Sequence, residues 1–114
     1  MGVADNKTTI QELKDNVLAF IQERNWLEHQ KPRDLSISIC LEAAELLELF
    51  QWNDRNDEDS LKADDTYQLL EDELADVLIY CLSIANAMNI DIAACITQKM
   101  EKNAVKYPVN NSIS

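Results

Sequence analysis

Residues 35–50 read LSISICLEAAELLELF, and the role of the acids in this stretch decides the fold. Eleven of the sixteen residues are apolar, and apart from Ser36 and Ser38 the polar ones are Glu42, Glu45 and Glu48. A surface helix of a globular protein keeps one apolar stripe and a wide polar arc. This one is apolar nearly all round, which predicts a helix covered on most sides, opened by Pro32 and Asp34 and running to about Trp52. Carboxylates on such a helix must be paired, protonated or bound to a cation.

Working outward, three more helices are expected. Thr9-Ile-Gln-Glu12 is a capping box, and Ile10, Leu13, Val17, Phe20 and Ile21 form an apolar stripe behind it that ends near Asn25. Residues 54–65, DRNDEDSLKADD, read as a polar, mobile loop. Thr66 is expected to cap a third helix that stops near Asn89, and Asp91 a fourth that reaches Tyr107 before Pro108 and a polar tail. The chain of 114 residues holds one Gly and two Pro, which fits a single all-α domain over residues 1–114, ordered from about 8 to 107. Short connections favour antiparallel neighbours and hence a four-helix bundle. The second and third helices are too apolar to be covered by one protomer, so the bundle is expected to assemble as an oligomer.

Composition excludes several chemistries. A single glycine builds neither a phosphate loop nor a dinucleotide fingerprint. A net charge of −11 disfavours nucleic-acid binding, though an anionic small substrate is open to a chain that recruits a cation. Cys40, Cys81 and Cys95 form no C-x-x-C pair and read as core thiols of a reducing compartment. With neither a leader nor an apolar run of membrane length, a cytoplasmic protein without membrane partners is expected.

The acids fall into a pattern. On the third helix Glu73, Asp76, Tyr80 and Ser83 recur at i, i+3, i+7 and i+10, one helical face. Glu42 and Glu45 share a face of the second helix, with Glu48 a step further round. Glu45 lies eight residues before Asn53 and Glu73 seven after Thr66, each about 11 Å from the connection at 1.5 Å per residue. In an antiparallel hairpin the two pairs face each other. Glu42, Glu45, Glu73 and Asp76 in one low-dielectric place repel unless a cation neutralises them. An all-oxygen set without His or Cys suits Mg²⁺, with Mn²⁺ as substitute, better than zinc. The bland alternative is a solvated acidic seam. Lys99, Asn103 and Lys106, at i, i+4 and i+7 on the fourth helix, form a polar face suited to phosphates, or merely cations that complement a helix C-terminus. Trp26 and Trp52 bracket the acidic helix, where they stack on a base or simply pack.

The stretches EAAELLELFQW, EDELADVLIY and KMEKNAVKYP resemble the MazG-like all-α nucleoside triphosphate pyrophosphohydrolases, near the small single-domain branch related to dCTP pyrophosphatase. The match runs from about Glu23 to Pro108. The resemblance implies Mg²⁺-dependent hydrolysis of a (deoxy)nucleoside triphosphate to monophosphate and pyrophosphate, a house-cleaning of the nucleotide pool. It implies metal ligation by Glu42, Glu45, Glu73 and Asp76, phosphate contacts from Lys99 and Asn103, and base or sugar contacts from Trp26, Trp52 and Tyr80. It also implies a homodimer or homotetramer. Two positions depart from the relatives' pattern: Gln30 stands where many carry His, and Val17 where the dCTP-preferring animal enzymes carry His. Either Glu45 or Glu48 is the expected general base. The competing readings are a dUTP- or phosphoribosyl-ATP-directed pyrophosphatase and a non-catalytic helical interaction module.

Overall fold

The computed structural model describes residues 2–109, and within them the chain is helical throughout, without strands. Five α-helices and a short 3-10 turn follow in order: α1 (Ile10–Glu23), the turn Leu27–His29, α2 (Pro32–Glu48), α3 (Glu58–Lys62), α4 (Thr66–Met88) and α5 (Ile92–Lys106). The expected polar tail, beyond Val109, lies outside the described residues.

Local chemistry explains most boundaries. The Thr9 hydroxyl accepts from the Glu12 amide at 3.0 Å and opens α1. Asp91 accepts from the Ala94 amide at 2.9 Å and opens α5. Asn89 closes α4 in the left-handed conformation, φ 55°, which Asn tolerates better than most residues.

Three expectations about the helices need correction. First, α2 ends at Glu48, because the amides of Leu49, Phe50, Gln51 and Asn53 bond three residues back instead of four, tightening the chain into turns. Second, the stretch 54–65 is not all loop. The Asp57 carboxylate caps α3 through the Ser60 amide at 2.7 Å, and Leu61, 6% exposed, anchors it against α4. Third, Thr66 is not the cap of α4 but its first residue. The carboxylate of Asp64 takes the Thr66 amide at 2.9 Å, and is itself paired with Arg55 at 2.7 Å.

Packing centres on α4. Antiparallel to it run α2, which places Leu35 near Ser83 and Glu42 near Asp76, and α1, which places Lys14 near Ile90. Ile21, Leu35, Leu61 and Ala85 form the buried apolar core. The bundle is not closed within one chain. The three residues Asn89–Asp91 turn the chain by 103°, so α5 leaves nearly at right angles to α4 and buries none of its residues. Lys14, itself buried, pins this corner: its Nζ donates to the Ile90 carbonyl at 2.8 Å, and Asn86 Nδ2 donates to the Lys14 carbonyl at 2.9 Å. Cys40 and Cys95, expected in the core, are exposed on the single chain, while Cys81 is half-buried; all three are free thiols. No single helix among the described residues is long and apolar enough to cross a membrane.

Candidate functional site

Antiparallel pairing of α2 with α4 brings the acids together. One carboxylate oxygen from each of Glu42, Glu73 and Asp76 lies within 4.8 Å of the others. Glu42 and Glu73 are half-buried, and the Oε2 of each is sealed from solvent with no hydrogen-bond partner among the described residues. Burial, then a hydrogen bond to Glu45, then the charges of Glu45, Asp76 and Glu73 push the Glu42 carboxyl up to about 7. Burial and a hydrogen bond to Glu45 also raise Glu73, followed by the charges of Glu45 and Asp76. Glu45, whose charge acts on both, is itself exposed and contributes none of the three converging oxygens. Two orphaned buried oxygens amid four acids are what a divalent cation would satisfy. The donors are all oxygen, the set that hard cations such as Mg²⁺ and Mn²⁺ prefer. Glu48, the last residue of α2, is exposed and stands apart from the three converging oxygens.

Beside the cluster, and sharing Asp76 with it, opens a pocket of about 750 Å³ between α1, α2 and α4. Its apolar walls include Phe20, Ile21, Leu35 and Ile79. Trp26, 46% exposed, stands at its edge with its ring 6.0 Å from that of Phe20 at 66°, an edge-to-face pair. Arg24 stacks on Phe20, 3.4 Å from the ring centre. From α4 come Asp76, Tyr80 and Ser83, the polar line legible in the sequence.

The structure does not bring every expected residue here. Trp52 is 87% exposed and lines no part of this pocket. Lys99, Asn103 and Lys106 lie on α5, which the turn at Asn89 carries away, and none of them lines it either. Conversely, Asn16, Phe20, Asp34 and Ser38 line the pocket without having been read as site residues. For two of them the signal was present: Asp34, Ser38 and Glu42 recur at i, i+4 and i+8, a polar line on α2 that mirrors the one on α4.

Comparison with known proteins bears on the family and the fold. Residues 37–114 match the model of the MazG-like family. The chain is 32% identical over 109 residues to dCTP pyrophosphatase 1 of Rattus norvegicus, covering 91% of this chain and 62% of that protein. It is 31% identical over 103 residues to dCTP pyrophosphatase 1 of Homo sapiens, covering 90% and 61%. The chain therefore spans about three fifths of the length of these curated relatives. The crystal structure of a pyrophosphatase from Archaeoglobus fulgidus superposes with a TM-score of 0.79 at 37% identity, over 95% of this chain and all of the other.

Proposed function

The chain belongs to the MazG-like family, and from that membership we propose that it hydrolyses (deoxy)nucleoside triphosphates to the monophosphate and pyrophosphate, with Mg²⁺ as cofactor. The observation that carries the reading is the convergence of Glu42, Glu73 and Asp76, with two orphaned buried oxygens, at the mouth of a nucleoside-sized pocket. Glu42, Glu45, Glu73 and Asp76 would hold the cation. A divalent ion there supplies charge neutralisation for a triphosphate and lowers the pKa of water. Glu45, exposed beside Glu42 and Glu73, is placed to take the proton of the attacking water, with Glu48 the alternative. Tyr80 and Trp26 would hold the nucleoside against the apolar wall.

Lys99, Asn103 and Lys106 remain phosphate contacts in this reading only across a subunit interface. The departure of α5 and its exposed apolar residues Ile96 and Met100 support a homodimer or larger assembly in which α5 lies against a second copy. A position on the partner's α2–α4 face brings cations to a carboxylate-rich site. Trp52 finds cover by the same route. The three free thiols fit a reducing cytoplasm.

The test is pyrophosphate release from a panel of nucleoside triphosphates with and without Mg²⁺, run in ¹⁸O-water. Label in the monophosphate and none in the pyrophosphate is expected, because attack at the α-phosphorus leaves the new oxygen there. Release of orthophosphate with a nucleoside diphosphate sinks the proposal. A second readout needs no turnover: Mg²⁺ should raise the melting temperature of the wild type and leave that of Glu73→Gln nearly unmoved.

A further inference from the structure

We infer that Asp34 selects the nucleobase, its carboxylate accepting a hydrogen bond from an exocyclic amino group, so that cytosine and adenine nucleotides are preferred over those of uracil and thymine. The inference rests on the nucleotide reading of the pocket and assigns its far end. Asp34 sits in the first turn of α2 and lines the pocket eight residues before Glu42, about 12 Å along the helix axis. Ser83, seven residues beyond Asp76 on α4, lies at the same end, about 10 Å away. That span matches a nucleoside whose phosphates lie at the carboxylate cluster. A bare carboxylate repels phosphate, so the Asp34 end is the base end.

Of the polar groups there, Asn16 and Asp34 are exposed, Ser38 is half-buried and Ser83 is buried. The side chains of Asn16, Asp34, Ser38 and Ser83 make no hydrogen bond or ion pair with any other described residue. Elsewhere the helical hydroxyls are used internally: Ser36 returns its hydroxyl to the Pro32 carbonyl at 2.6 Å, and Ser60 bonds the Asp57 carbonyl at 3.0 Å. Ser83 is only 4% exposed and still unpartnered.

His29, Asn16 and the hydroxyls of Ser38 and Ser83 also line the pocket and can donate, while Asp34 and Gln30 supply acceptors. Gln30 spends its Nε2 on the Trp26 carbonyl at 3.4 Å, which turns its Oε1 away as a buried acceptor without a donor. No lysine or arginine lines the pocket, and Arg24 is engaged by Phe20, whose carbonyl its Nη1 reaches at 3.0 Å. Cytosine presents an amino group where uracil and thymine present a carbonyl, and adenine presents one as well. A carbonyl against Asp34, which lines the pocket from an exposed position, opposes two acceptors. Sites built to hydrogen-bond a substrate N–H discriminate strongly against analogues that lack it. The bland role for Asp34 is to complement the α2 dipole, and that role makes no distinction between bases.

The experiment compares kcat/KM for dCTP and dATP with dUTP and dTTP in the wild type and in Asp34→Asn, and calorimetric binding of dCMP and dUMP to both. Wild-type preference for the amino bases should be at least about tenfold. In Asp34→Asn, whose amide can serve either partner, the preference should fall toward parity, with uracil and thymine substrates gaining. An unchanged ratio in the variant overturns the inference, as does a wild type that favours dUTP or dTTP. If no triphosphate is hydrolysed, the proposed function fails, and the dCMP-over-dUMP binding ratio still decides the role of Asp34. Equal or absent binding of the two monophosphates counts against it.

Discussion

Glu42 shows how much one side chain is strained by its neighbours when no cation is bound. Burial, the Glu45 hydrogen bond and the surrounding acids hold it up to about 7, against an ordinary value of 4.5. Between these two values the folded, metal-free protein binds more protons than the unfolded chain, so its stability falls as pH rises through that window. At fixed protomer concentration, the metal-free protein should therefore melt higher at about pH 5.5 than at about pH 7.5. Glu42→Gln, a permanent mimic of the protonated acid, should melt above the wild type at the higher pH and lose most of the slope. A wild-type melting temperature that does not move across this range, or a variant that keeps the slope, sinks the account. The cluster was largely legible in the sequence because acids in an apolar helix have few explanations and because helical rise predicts matching heights. What was not legible was the split within it: Glu42, Glu73 and Asp76 bring oxygens together, while Glu45 is exposed beside them and Glu48 stands apart as the last residue of α2. That difference depends on side-chain direction and on where the helix tightens, neither of which spacing encodes.

At the scale of elements, the readable boundaries were those with a local chemical device. Thr9 and Asp91 carry their caps in their own side chains, and Asn89 takes the left-handed turn that Asn admits. The unreadable ones depend on partners. In DRNDEDSLKADD the acids hide a five-residue helix whose only apolar anchor is Leu61, buried against α4 from one turn away in sequence. So short a helix has no stability of its own. Leu61→Ala should therefore cost about 2 kcal/mol in urea unfolding, and amide exchange in residues 57–62 should accelerate. A loss within a few tenths of a kcal/mol, as at an ordinary surface site, would show that α3 does not depend on this contact. The path of α5 was likewise beyond the pattern. Its caps and length were foreseen, but the 103° corner is set by three residues and by Lys14 reaching across from α1. Lys14→Met keeps the buried stem and removes the ammonium. It should free the corner, seen as faster amide exchange in residues 89–94, while α1 and the body of α4 keep their protection. Unchanged exchange there would mean the turn needs no pin.

The whole molecule is too open for a finished globule. Its Cα radius of gyration is 17.6 Å, where a compact chain of this length has about 13 Å. Leu41, Leu47, Leu78 and Met100 are all more than half exposed on one chain. Apolar faces of this extent mark an interface, and α5 carries three lysines against one glutamate in a chain of net charge −11. A basic, apolar helix that leaves its own bundle finds its complement on the acidic, apolar α2–α4 face of a second copy. Light scattering should accordingly return no stable species at 13.0 kDa. This arrangement makes a sharper demand than size alone. If Lys99 serves the carboxylate cluster of the partner, Glu73→Gln and Lys99→Ala damage different halves of one shared site. A mixed dimer of the two variants then holds one site with both halves intact and one with both damaged. Random reassortment makes half of the dimers mixed, so two inactive proteins, unfolded together and refolded, should recover about a quarter of wild-type pyrophosphate release. Were Lys99 to act within its own chain, every site in every mixture would keep one defect. Activity after mixing would then not exceed the mean of the two variants, and that result would return α5 to its own bundle.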